Sequence, residues 1–203
     1  MRGLLSLCSL ALFLTSCNSF ICKNAINKSV GRQDIIEDFF DTLNVRKFKT
    51  GIHYGSNEIT GIIIYKKLND SIYAGSFINE FGIRGFDFKL SGNRVGMENM
   101  IKNIDKWYIR KKLENDLHFL FSRPEMISPC SIDKTPVYVS TVNRSLHYVY
   151  YTDGKMWTGK ADMYKHSDKV AEMNQYADKS SRLVIKMRHI NCKLTYDLSE
   201  ITP

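Results

Sequence analysis

The chain reads as an α+β protein: a curved antiparallel sheet with an N-terminal helix and a mid-chain helical insertion. Three observations lead there. Apolar residues alternate with a period of two over several runs of 6 to 11 residues, the period changes to about 3.6 in mid-chain, and the links between runs are short turns. Eleven Tyr and 11 Phe against only 4 Pro suit pleated strands, where aromatic side chains pack well and proline cannot donate to the ladder.

Each element follows from its residues. Gln33 to Leu43 sets Ile35, Ile36, Phe39, Phe40 and Leu43 at helical spacing with Glu37, Asp38 and Asp41 opposite, which predicts an amphipathic helix. Val45 to Tyr54, Ile59 to Lys67 and Ser71 to Asn79 are β-branched and aromatic runs parted by Gly55-Ser56-Asn57 and Leu68-Asn69-Asp70, so they predict consecutive hairpins. Phe86, Phe88 and Leu90 alternate with Asp87 and Lys89 up to a Ser91-Gly92-Asn93 turn. Met97, Met100, Ile101, Ile104 and Tyr108 then fall at helical spacing, followed by a second stripe of Ile109, Leu113, Leu117 and Leu120, so helix is expected between about residues 96 and 122. Strand signals return beyond Pro129, over Pro136 to Asn143, Leu146 to Thr152, Met156 to Tyr164 and Arg182 to Leu198. About four strands on each side of the helix make one antiparallel meander, a single domain over residues 31–203.

The first segment carries an address. Arg2 precedes Leu4, Leu5, Leu7, Leu10, Leu12, Phe13 and Leu14, a short apolar core that ends at Thr15 and Ser16. It is too short to span a bilayer, which needs about 20 apolar residues, and it has the build of an export signal. Leu14-Thr15-Ser16-Cys17 resembles the lipobox of bacterial lipoproteins. That resemblance implies cleavage after residue 16, lipid on the thiol of Cys17, and a tether over residues 17–30 that spaces the domain from a membrane. Asn18 after the cysteine, in place of aspartate, favours the outer membrane, on its periplasmic face.

The formal charge is +8, of which Arg2 supplies one. On a lipid-anchored protein such a surface suits anionic head groups, whereas an exported chain without a recognisable nucleic-acid motif is not expected to bind nucleic acid. Of the five cysteines, Cys8 leaves with the signal and Cys17 is acylated. Cys22, Cys130 and Cys192 remain, with three possible pairings.

The lipobox, the packing helix, the hairpins and the mid-chain helix together resemble the LolA/LolB-like lipoprotein carrier and receptor superfamily. Ile59 to Lys67, Ser71 to Phe77, Phe81-Gly82 and Phe86-Asp87-Phe88 resemble its first hairpins and the bend after them. The resemblance implies an unclosed β-barrel, a half-barrel around an apolar cavity that accepts lipid or the acyl chains of lipoproteins. Ile63, Tyr65, Phe77, Phe86, Phe88, Met97, Met100, Ile101 and Ile104 are the candidate lining of that cavity, the methionines supplying an adaptable surface. Lys102, Lys106 and Arg110 recur every four residues and are the candidate membrane-facing cations.

Enzymatic chemistry is not expected. Gly-x-Ser-x-Gly, His-Glu-x-x-His and a phosphate-binding Gly-rich loop are missing from the sequence, as is any Cys-x-x-Cys pair. Ser131-Ile132-Asp133-Lys134 has Ser-x-x-Lys spacing but lies between Pro129 and Pro136, where a helix turn is disfavoured. His53, His118, His147, His166 and His189 are scattered, and Asp87, Glu98 and Asp105 have no fixed mutual spacing. No metal or cofactor is expected. Two roles remain: a lipid-binding module, or a structural lipoprotein that docks a protein partner without a ligand.

Overall fold

The computed structural model describes residues 45–121, 127–132, 135–143, 145–151 and 159–201. The expected helix over residues 33–43, the lipobox and the tether all lie outside the described residues.

Twelve strands form one antiparallel sheet. They are β1 (Val45–Tyr54), β2 (Asn57–Lys67), β3 (Ile72–Asn79), β4 (Arg84–Ser91), β5 (Arg94–Glu98), β6 (Ile127–Ile132), β7 (Thr135–Asn143), β8 (Leu146–Tyr151), β9 (Gly159–Lys165), β10 (Asp168–Ala177), β11 (Leu183–His189) and β12 (Leu194–Glu200). Their order is β5-β4-β3-β2-β1-β12-β11-β10-β9-β8-β7-β6, so two meanders join where β1 pairs with β12. The single described helix, α1 (Trp107–Phe121), lies in the chain between the two edge strands β5 and β6. Phe48 of β1, Phe88 of β4, Tyr148 of β8 and Tyr196 of β12 all reach it, so the sheet curls around α1.

This corrects the expected α+β architecture. The described structure is mostly sheet, with α1 its one helix. In mid-chain the helix is shorter than the spacing predicts, because the Gly92 turn (φ 53°) folds Arg94–Glu98 back onto β4 and pairs Met97 with Phe88. Asn99 at φ 49° ends that strand, and turns carry the chain to Trp107. Met97, Met100, Ile101 and Ile104 therefore share a helical spacing without sharing a helix. The second stripe is a real one: Leu113, Leu117 and Leu120 are buried, each stabilising the fold by roughly 1.5–3 kcal/mol. Arg182 to Leu198 splits into β11 and β12, and β10 is a strand that the turn signals did not separate.

Packing follows the pleat. In β1 the buried positions are Arg46, Phe48 and Thr50, and in β2 they are Gly61, Ile63 and Tyr65. Tyr65 stacks on Tyr73 (5.4 Å between centroids) and on Phe121 of α1 (5.0 Å), and its hydroxyl donates to the Phe121 carbonyl (3.1 Å). Gly75 of β3 makes room for Phe88, whose ring occupies the space a Cβ there would take. Where the two meanders meet, Arg46 pairs with Glu200 at 2.7 Å, both largely buried, and Glu200 also accepts from the Leu183 amide. A second, smaller cluster joins Cys130, Val137, Val139 and Val149. Cys130 is disulfide-bonded and Cys192 is free, which removes the two pairings that would use Cys192.

Candidate functional site

Ile63, Tyr65, Phe77, Phe86, Phe88 and Met97 all lie in the buried core, with Met100 and Ile104 packed partly buried against it. Phe77 stacks on Phe86 (5.4 Å), and Phe88 meets Phe121 at 5.9 Å, so these side chains pack on one another and on α1. Ile101 is 41% exposed and closes nothing. Lys102 and Lys106 precede α1 and are exposed, while Arg110 is tied to Asp105 (2.7 Å) and to the Met97 carbonyl (2.7 Å). The three cations do not share one helix face. Ser131 lies in β6, so its Ser-x-x-Lys spacing forms no helix turn.

The described structure holds a cleft elsewhere, of about 550 Å³, along the N-terminal half of α1. One side is Trp107, Tyr108, Lys111, Lys112, Asn115 and Asp116 of the helix. Facing them are Leu146, Met163, Lys165, Val170 and His189 of β8 to β11, with Asn191 and Cys192 of the β11–β12 turn and Tyr54 at the end of β1. The pleat sets this up: Met163 and Lys165 are two apart on β9, and Leu146 pairs with Lys165 across the β8–β9 ladder. Trp107, 82% exposed, and Tyr54, also exposed, stand at its rim.

A polar chain runs along its floor. Asp116, 1% exposed, accepts from the Tyr196 hydroxyl at 2.7 Å through Oδ2 and meets His189 Nε2 at 3.0 Å through Oδ1. Lys112 Nζ lies 3.1 Å from His189 Nδ1. A carboxylate only accepts, so His189 donates through Nε2–H to Asp116, while the Lys112 ammonium, 3.1 Å from Nδ1 and 3.3 Å from Nε2, rests against the imidazole. The buried carboxylate is thus linked through the imidazole to the lysine charge. Burial first, and Asp116 second, push the Tyr196 hydroxyl well above its ordinary pKa, which keeps it a donor.

Two residues beyond Asp116 on α1, His118 Nδ1 bonds the Tyr148 hydroxyl at 2.7 Å. Burial lowers the His118 pKa to about 4, partly offset by a hydrogen bond to the Gly92 backbone. With α1 thus held to the β4–β5 turn and to β8, the cleft has a fixed wall.

Sequence reasoning missed Lys112, Asp116, His189 and Tyr196, the last lying 80 residues from the Asp116 it bonds. A signal existed for three of them. Asp116 falls within the Leu113, Leu117, Leu120 stripe, and His189 and Tyr196 take apolar positions in alternating strands, all places where a polar group needs a buried partner. Among the described residues no group of three His, Cys, Asp or Glu side chains is placed to hold a metal.

No protein-family model matches the chain, and no curated protein does. Solved structures resemble its course. A DUF1329 family protein from Desulfovibrio piger matches with a TM-score of 0.48 at 10% identity, over 80% of this chain and 86% of that one. A domain from Vibrio parahaemolyticus assigned to outer membrane lipoprotein sorting matches with a TM-score of 0.46 at 7% identity, over 78% and 83%. Similarity at this level carries nothing about ligand or partner.

Proposed function

We propose that this chain is a lipoprotein, anchored through Cys17 to the periplasmic face of the outer membrane, that binds an acyl chain in the cleft beside α1. One observation carries the ligand: apolar walls of Leu146, Met163 and Val170 form a cleft of about 550 Å³, within the roughly 300–1,000 Å³ range of small-molecule sites. Trp107, Tyr108 and Tyr54 at its rim are the residue types that settle at membrane–water interfaces, where an acyl chain would enter. The anchor rests on the Leu14-Thr15-Ser16-Cys17 motif, and two or three acyl chains suffice for stable attachment.

Two experiments test this. Cells fed an alkyne fatty acid should label the wild-type protein and leave Cys17→Ala unlabelled; equal labelling of both sinks the anchor. The Cys17→Ala protein should take up parinaric acid methyl ester saturably, and Met163→Glu, which places a carboxylate among apolar walls, should weaken uptake at least tenfold in a protein still folded by circular dichroism. Uptake unchanged by Met163→Glu, or no uptake by the parent, refutes the cleft as an acyl site. The second result favours instead a docking module whose exposed Trp107 and Tyr108 meet a protein partner.

No helix among the described residues is long and apolar enough to cross a membrane.

A further inference from the structure

The charges around the cleft say more than its apolar walls do. Lys111, Lys112 and Lys165 line it, and Asp116 is the only carboxylate among the described residues that does. Both Asp116 oxygens are engaged by Tyr196 and His189 within the floor. Lys112 has one contact there, to His189, and no carboxylate among the described residues pairs with it. Lys165 likewise has no carboxylate partner among the described residues, and Lys111 meets only Glu114 of its own helix, at 3.4 Å. Two ammonium groups on opposite walls of a partly apolar cleft thus lack an anion, and low-dielectric walls focus their field on whatever enters.

We infer that the occupant is a single-chain amphiphile with an anionic head group, a carboxylate or a phosphate, held between Lys112 and Lys165 with its chain along Leu146, Met163 and Val170. This rests on the acyl-binding reading and adds the class of ligand. Size suits one chain: about 550 Å³ lies within the roughly 300–1,000 Å³ of small-ligand sites. Charge-assisted hydrogen bonds from lysine to such an anion are about twice as strong as neutral ones, so the head group should dominate selectivity. His189 and Asp116 act as positioning residues, holding the Lys112 ammonium at the cleft floor.

Displacement of parinaric acid methyl ester from the Cys17→Ala protein decides the matter. Palmitate or palmitoyl-lysophosphatidate should displace the probe at least tenfold more effectively than neutral monopalmitoylglycerol, and salt should narrow the gap. The better of the two anions identifies carboxylate or phosphate as the preferred head. Lys165→Gln, a change at an exposed lysine that leaves the floor intact, should cut the preference severalfold while leaving monopalmitoylglycerol unaffected; Lys112→Met should do the same. Equal displacement by charged and neutral lipids, or a preference untouched by Lys165→Gln, overturns the inference while acyl binding stands. Inorganic phosphate competing as well as lysophosphatidate would show an anion site without a chain and overturn it too. Failure of the probe itself to bind removes both readings.

Discussion

Asp116→Ala should lower the unfolding free energy by about 2–6 kcal/mol, roughly 1–3 kcal/mol for each of the two buried donors left without an acceptor. The reason is local and countable. Removal of the carboxylate leaves the Tyr196 hydroxyl and the His189 Nε2–H buried without their acceptor, and releases the imidazole against which Lys112 rests. Urea unfolding followed by circular dichroism measures the loss. Asp116→Asn, which keeps the shape and one acceptor, should cost less than Asp116→Ala. A double-mutant cycle with Lys112→Met should return a coupling of about 0.5–3 kcal/mol, because Lys112 and Asp116 act through one imidazole. A loss under about 1 kcal/mol for Asp116→Ala, with no coupling, would show that the three groups do not form a linked chain.

Acidification should destabilise the protein through His118 well before its carboxylates titrate. Burial holds this imidazole at a pKa of about 4, against 6.5 when exposed. Between those values the unfolded chain binds a proton that the folded one refuses, so falling pH favours unfolding. Stability should therefore decline from about pH 6.5 downward, by up to 1.4 kcal/mol per pH unit and about 3 kcal/mol in all by pH 4. His147 is lowered by burial too, in the same direction, so the quantity to compare is wild type against His118→Gln. Glutamine still accepts from Tyr148 and does not titrate, so the variant should lose markedly less stability between pH 7 and pH 5. Parallel curves for the two proteins would rule His118 out as the source. Glu172, lowered by Lys169 and Arg188, contributes stability that is lost only at pH values below the ordinary carboxylate range.

The strand runs were legible because alternation is local: Phe48, Ile63 and Tyr65, and later Leu194, Tyr196 and Leu198, each betray a buried face within a few residues. β5 was not legible, since the spacing of Met97, Met100 and Ile101 satisfies a helical period while the hydrogen bonds of β5 go to β4. Only pairing separates the two readings. β10 escaped because Glu172, Asn174 and Tyr176 alternate with Ala171, Met173 and Gln175 too weakly to stand out, and a bulge between Lys169 and Ala171 breaks the register. The expected cavity lining meets the same limit. Tyr65, Phe88 and Phe121 are residues that could line a pocket or fill it, and the separation of the surfaces that carry them decides which.

The sequence by itself determined an antiparallel meander, a helix carrying Leu113, Leu117 and Leu120, and the motif around Cys17, because each is written in neighbouring residues. Tertiary structure alone decided where the two meanders join, through β1 and β12, and which half of α1 meets a filled core and which a cleft. It also decided that Asp116, His189 and Tyr196 belong together. Each of these carries a polar group that must find a buried partner, yet which partner depends on the curl of the whole sheet around α1, and strand pairing across more than a hundred residues leaves no local trace.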